Sequence, residues 1–229
     1  WGKYDIAIKF FKQALVLTDE FRIDQRRDMK ELVSMSLGMN YLGTGETDKA
    51  FEYLSSVVQS AKENGDKLLL ATGFKLLAGV YRSKKQHEKE LELEKQSLKI
   101  YSEIGMEHGI ARGLLEIGKT HFLMKDYAKA REYLNRAIKI AQKINIPGIW
   151  EEINESIGAL YIREGKYEEA AKYLTEAVTV VESLRKTATG TIRRDFLETN
   201  ITLYKFLAYS HLKSHNFPES FLALERSHS

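Results

Sequence analysis

Gly158 is followed by Tyr161 three residues on, Ala170 twelve on, Leu174 sixteen on and Ala177 nineteen on. The same ladder starts at Gly118, with His121, Ala130, Leu134 and Ala137, and at Gly38, with Tyr41, Ala50, Leu54 and Val57. The starting points 38, 118 and 158 differ by multiples of 40, and Ala78 with Tyr81 supplies the copy between them. A self-similar period of this length marks an array of stacked repeats, not one closed core. Small residues at the first, third and last rungs let two helices of one unit approach closely. The Tyr and Leu rungs are expected to fill the space between units. Such an amphipathic pair cannot bury its apolar face alone and stacks on its neighbours.

The pattern resembles the tetratricopeptide repeat, with about 40 residues per unit in place of the usual 34. The extra residues would lengthen the helices by nearly two turns at about 3.6 residues each. The resemblance covers nearly the whole chain and implies an all-α fold, a right-handed α-solenoid of helix-turn-helix repeats. We expect one array fragment over residues 1–229: a partial repeat at 1–20, repeats at about 24–65, 66–105, 106–145 and 147–187, and a displaced partial repeat at about 191–229. Gly2-Lys3-Tyr4, Ala7, Phe11 and Ala14 match Gly165-Lys166-Tyr167, Ala170, Leu174 and Ala177. The chain therefore opens on the second helix of a unit, and further repeats are expected before Trp1. Thr47 is the expected N-cap of one helix and Asn64-Gly65 its left-handed end. Pro147 and Pro218 suit first turns, where no N–H bond is needed. The last copy is shifted by 50, which puts ten extra residues near Lys186 to Asp195, in a pause around Thr187-Ala188-Thr189-Gly190-Thr191.

One unit breaks its own rule. Glu90 and Glu94 stand where the other copies have Ala and Leu, and Ser97 replaces the last small residue. A local twist would turn the glutamates outward, with Leu91 and Leu93 taking over the packing. The alternative is a partner contact or hinge. A buried carboxylate without a partner would be costly.

The 43% hydrophobic and 29% charged content fits a folded helical protein. A net charge of +3 without a basic tract gives no reason to expect nucleic acid. No apolar run reaches membrane-spanning length, so no membrane association and a cytoplasmic location are expected. The absence of cysteine excludes a disulfide framework, a thiolate metal site and a cysteine nucleophile within these residues. His121 and His211 occupy the Tyr rung, where packing accounts for them. Glu88, Glu90, Glu92 and Glu94 alternate without the spacing of an oxygen-ligand site. No catalytic residues, metal or cofactor are expected, and the chain reads as a non-enzyme.

The last fifty residues carry a narrower resemblance. Glu182, Leu184-Arg185, Arg193-Arg194, Phe196, Tyr204, Leu207, Phe217, Ser220-Phe221 and Leu224-Glu225-Arg226-Ser227 look like the segment that joins tetratricopeptide repeats to a CHAT domain in bacterial proteins. Ser220 stands where that family usually has Ala. There the effector is a caspase-like cysteine peptidase and the repeats are its sensor or regulatory arm. What the resemblance implies for this chain is a non-catalytic scaffold that binds a protein or peptide, with a C-terminal effector domain outside these residues.

In units of this resemblance the first helix lines the concave surface. The inward positions give Leu32, Met35, Met39 and Leu42, then Lys75, Gly79 and Arg82, then Arg112, Leu115, Lys119 and Phe122, then Glu152, Glu155, Ile162 and Arg163. An apolar end with flexible methionines passes to a basic middle and then to two acids. Of these, Met35, Met39, Lys75, Arg82, Arg112, Lys119, Glu152, Glu155 and Arg163 are the candidate partner-binding residues. Lysine and arginine in a concavity would focus field on an acidic segment. The plain alternative is solvated charges, with the methionines packed on a neighbouring helix. A groove of the chaperone-tail type needs Lys and Asn one turn apart, whereas Lys75 is followed by Gly79. A peptide-pheromone sensor would hold peptide backbone with asparagines, and Asn154 is the one near the inward face. A CHAT peptidase with catalysis outside this chain and a structural spacer complete the alternatives.

Overall fold

The computed structural model describes residues 2–18, 23–187 and 191–227, and all of the regular structure among them is α-helical. In chain order the helices are α1 (Gly2–Leu17), α2 (Ile23–Thr44), α3 (Thr47–Asn64), α4 (Lys67–Ser83), α5 (His87–Glu103), α6 (Glu107–Leu123), α7 (Tyr127–Ile144), α8 (Pro147–Arg163), α9 (Tyr167–Thr187), α10 (Thr191–Lys213) and α11 (Phe217–Arg226). The chain divides into two compact units, Trp1–Gly113 and Leu114–Ser229, with the sequence boundary inside α6. In the first, each helix from α1 to α4 packs on the next, and α2 also lies against α4. In the second the same holds from α7 to α10, with α8 against α10. First helices of successive repeats thus share a flank in each unit.

The turns explain the helix lengths. Left-handed backbone recurs at Gly45, Gly65, Lys85, Gly105, Lys125, Asn145 and Gly165, one every 20 residues, and again at His215. Gly65 has φ 69° and returns its N–H to the carbonyls of Ala61 and Lys62, as a left-handed C-cap does. Within repeats the residue after the left-handed one donates to the carbonyl of the Tyr rung: Glu46 to Tyr41, Gln86 to Tyr81, Asp126 to His121 and Lys166 to Tyr161, each at 2.9 Å. That rung therefore has a backbone duty whatever its side chain. Thr47 is not the cap of α3. It is the first helical residue, Glu46 precedes it without a side-chain capping bond, and the Thr47 amide bonds the Gly45 carbonyl. Pro147 opens α8, and Pro218 lies in the first turn of α11.

The ladder residues close each pair. Ala170, Leu174 and Ala177 are fully buried. A Cβ at Gly158 would stand 2.6 Å from Leu174 Cγ, and the same approach occurs between Gly38 and Leu54 and between Gly118 and Leu134. The Leu rung therefore packs against the Gly rung of its own unit, within clusters that also take in the next repeat's first helix, as Leu174 does with Leu203 and Leu207. The Tyr rung meets both neighbours: it stacks within its own pair and also faces the preceding repeat, with Lys12 5.8 Å from the Tyr41 ring centre and Arg131 5.2 Å from that of Tyr161. Tyr41 stacks on Tyr53 at 5.7 Å, His121 on Tyr133 at 5.5 Å and Tyr161 on Tyr173 at 5.5 Å. The ten extra residues before the last repeat go largely into helix: α9 has 21 residues and α10 has 23, where α4, α5, α6 and α8 have 17. Of the expected pause, residues 188–190 lie outside the described residues. No helix among the described residues is long and apolar enough to cross a membrane.

Candidate partner-binding surface

In the Trp1–Gly113 unit, α2 and α4 lie side by side, so their inward positions meet. A Cβ at Gly79 would touch Leu42 Cδ1 at 3.6 Å. Leu32 is 64% and Met39 52% exposed on the same helix as the half-buried Met35. Lys75 and Arg112 are half-buried. The Thr72 hydroxyl lies 3.1 Å from the Tyr101 hydroxyl.

Arg82, the third cation of the set in this unit, has a different role. Arg82 directs Nε to Glu90 and Nη2 to Glu94 at 2.9 Å. Nδ1 of His87 lies 2.8 Å from the second Glu90 oxygen. Glu90 is 0% and Glu94 3% exposed. The outward twist expected for these glutamates does not occur. They hold the Ala and Leu rungs in register, while Leu91 and Leu93 stay half-buried. The physical reason is that Arg82 lies on the facing helix, where the other repeats have Leu42, Phe122 and Ile162, and supplies the charge that burial demands. Ser97, at the last rung, donates its hydroxyl to the Ala71 carbonyl at 2.7 Å. The signal was present in the sequence as a cation four residues after the first rung with acids at twelve and sixteen. It is legible only when the substitutions are taken together.

In the Leu114–Ser229 unit the inward positions of α6 and α8 also meet. Lys119 Nζ lies 2.9 Å from Glu152 and 3.4 Å from Glu116. Glu155 is held above the ordinary carboxylate range by burial, with Lys119 opposing and Glu152 adding to the effect. Arg163 is exposed at the end of α8. Leu115 belongs to the core, being fully buried, and is no part of the surface. Asn154 is also buried, and its amide donates to the Trp150 carbonyl of its own helix at 2.8 Å. His121 is buried against Tyr133 as packing predicts.

Further along this unit, α9, α10 and α11 enclose a cleft of about 480 Å³ whose lining includes Glu182, Arg185, His211, Glu219 and Arg226. Glu182 anchors it, accepting from the Tyr204 hydroxyl at 2.7 Å and pairing with Arg185 at 3.0 Å. Burial, then the bond to Glu182, raises the Tyr204 phenol above its ordinary value. Burial lowers the His211 imidazole, with Glu219 opposing.

The tetratricopeptide-repeat family pattern matches residues 31–103, 111–144 and 152–180. A comparison with curated proteins returns no significant match. Among solved structures, BtubC (BKLC) from P. vanneervenii is similar over 98% of this chain and 89% of its own, with a TM-score of 0.80 at 15% identity. Aspartyl phosphate phosphatase F from Bacillus subtilis is similar over 97% of this chain and 65% of its own, with a TM-score of 0.72 at 20% identity. A Rap protein complexed with competence and sporulation factor is similar over 99% and 70%, with a TM-score of 0.72 at 15% identity. At these identities the likeness is one of fold.

Proposed function

We propose that this chain, which carries tetratricopeptide repeats, is a scaffold that binds a protein or peptide bearing an acidic segment, and that it serves as the regulatory or sensor arm of a larger bacterial effector. The observation that carries the binding role is the flank shared by α2 and α4. There Leu32 and Met39 stand exposed beside Met35, and Lys75 lies on the neighbouring helix. Exposed apolar and flexible side chains next to a cation suit a ligand that offers both an apolar anchor and a carboxylate. Lys119, Glu152, Glu155 and Arg163 form the corresponding surface of the other unit. There Lys119 pairs with Glu152 and Glu116 within the chain. Arg82 contributes only the part of its side chain that its glutamates leave at the surface.

The effector is proposed to be a CHAT-type protease. What supports this is the resemblance of the last fifty residues, together with the mutual contacts of Glu182, Arg185 and Tyr204, three of the residues that carry it. A peptide-sensing regulator is the second reading. It is favoured by the fold shared with the Rap protein crystallised with its factor. The location of Asn154 inside the core removes the asparagine such a site would use.

The test is a displayed peptide library selected on residues 1–229. Selected ligands should combine acidic and apolar residues. They should lose at least tenfold in affinity on Lys75→Glu/Arg112→Glu or on Met39→Asp, with the circular dichroism spectrum intact. Ligands that bind these variants undiminished would place the binding surface elsewhere. The same ligands, added to the natural full-length polypeptide, should change a proteolytic activity if the CHAT reading holds.

A further inference from the structure

We propose that the cleft between α9, α10 and α11 binds a small bipolar molecule, with an oxyanion at one end, an apolar body and an ammonium at the other end. The cleft holds about 480 Å³, room for a small-molecule ligand. None of the candidate partner-binding residues is among those lining it, so the site is separate from the proposed binding surface. Its polarity follows from register. Thr175 and Glu182 on α9, Tyr204 and His211 on α10, and Glu219 and Arg226 on α11 are each seven residues apart. Seven residues of helix span about 10 Å. At one end the Tyr204 hydroxyl bonds Glu182 at 2.7 Å, and the charges of Arg185 and Arg226 both reach that phenol. At the other end the charge of Glu219 reaches His211.

The two ends call for opposite partners. Arg185, Lys186 and Arg226 line the first together with Glu182, so cations outnumber acids there among the described residues. The Arg185 side chain is 15% exposed and directs Nη2 to Glu182 at 3.0 Å. Its Nη1 is buried and has no acceptor among the described residues. A buried guanidinium N–H without an acceptor is rare in a folded protein, and a carboxylate or phosphate oxygen supplies what it lacks. The second end holds Glu219 and His211, and burial lowers the His211 imidazole, so it adds no positive charge at neutral pH. Thr175 and His211 also line an adjoining hollow with Glu168, Lys172 and Glu176, where acids outnumber cations. The hydroxyls of Thr175 and Thr179 donate to the carbonyls of Ala171 and Thr175, each at 2.8 Å, so toward the cleft they can only accept. Between the ends lie the buried side chains of Val178, Leu207 and Ala223 and the partly exposed Leu222. A ligand oxyanion thus meets the unspent donor of Arg185, its apolar body meets the middle, and its ammonium meets acceptors and an acid.

The probe is ω-aminooctanoic acid, whose extended length matches two helical turns, titrated into the isotope-labelled full chain and followed by amide chemical shifts. Saturable shifts are expected in α9, α10 and α11. Octanoic acid, which lacks the ammonium, and octylamine, which lacks the acid, should each bind several-fold more weakly. Arg185→Gln should weaken the probe at least tenfold. Glu219→Gln, at an exposed position, should weaken ω-aminooctanoic acid several-fold and leave octanoic acid unchanged, a split that loss of structure does not produce. A parallel titration with ω-aminohexyl phosphate identifies the head group, the tighter of the two probes naming the oxyanion. Shifts that do not saturate, shifts centred outside these three helices, or undiminished binding of the probe to either variant would overturn the proposal.

Discussion

The pairs α4–α5 and α8–α9 are built on one plan and closed by opposite chemistry. Where α8–α9 closes on Ile162, Ala170, Leu174 and Ala177, α4–α5 closes on Arg82, Glu90, Glu94 and Ser97, at the same spacings and equally buried at the last three. Even the first rung follows suit. Gly158 cannot carry a Cβ because Leu174 occupies the space, whereas Ala78 carries one opposite Glu94 and is buried with it. A repeat position thus fixes volume and complementarity, and hydrophobicity is only the commonest way to satisfy them. What cannot be done is to change one member alone.

The largest effect expected from that view is Arg82→Ala. It removes the shared guanidinium from two buried carboxylates, leaving Glu90 its contact with His87, and should cost about 3–5 kcal/mol. Urea denaturation of the Trp1–Gly113 unit and hydrogen exchange in α4 and α5 would read it. The sharper form is the rescue Arg82→Ile/Glu90→Ala/Glu94→Leu made together with Ala78→Gly, which should recover wild-type stability to within about 1–2 kcal/mol or exceed it. The three substitutions without Ala78→Gly should fall short of that, because a leucine at 94 would meet the Ala78 methyl as Leu174 would meet one at 158. A triple substitution that is fully stable without the glycine would break the comparison.

A smaller effect is expected on the regular side. Gly158→Ala forces a methyl to within 2.6 Å of Leu174 Cγ and should cost about 1–3 kcal/mol by overpacking, seen as a lowered Tm. An unchanged Tm would mean that the small first rung serves something other than the leucine. The smallest is Ser97→Ala, which restores the residue of the regular copies yet removes the bond to the Ala71 carbonyl. It should lose about 1 kcal/mol. A gain in Tm would show that size alone matters at that rung.

The period, the helix pairs and most of their ends were legible because a 40-residue ladder constrains every copy at once. The Tyr and Leu rungs were recognised as packing residues between units; that they also close their own pair was not. A one-dimensional spacing does not say which of two neighbouring helices a side chain meets; the stacks of Tyr161 on Tyr173 and of Leu174 over Gly158 supply that. Glu90 and Glu94 were read outward because each was judged as a single departure, and the role of Arg82 as their counter-charge was missed for the same reason. The pair Lys119 and Glu152 shows the converse. Both belong to neighbouring first helices, and that they bond each other depends on side-chain reach. The partner-facing candidates Lys75, Arg112 and Met39 were visible as types in a register, which is as far as a sequence carries a binding surface.

The left-handed turn residues, one every 20 positions from Gly45 to Gly165, divide the chain into segments of equal contour. Under mechanical load, a chain whose repeats contact only their neighbours would yield in near-identical increments. Each 40-residue unit would release about 130–145 Å of extended chain. The stretch lengthened by ten residues through α9 and α10 would release about 165–180 Å. On an extension trace the departure in repeat length would stand out as the one long step, a mark of position along the chain that needs no label.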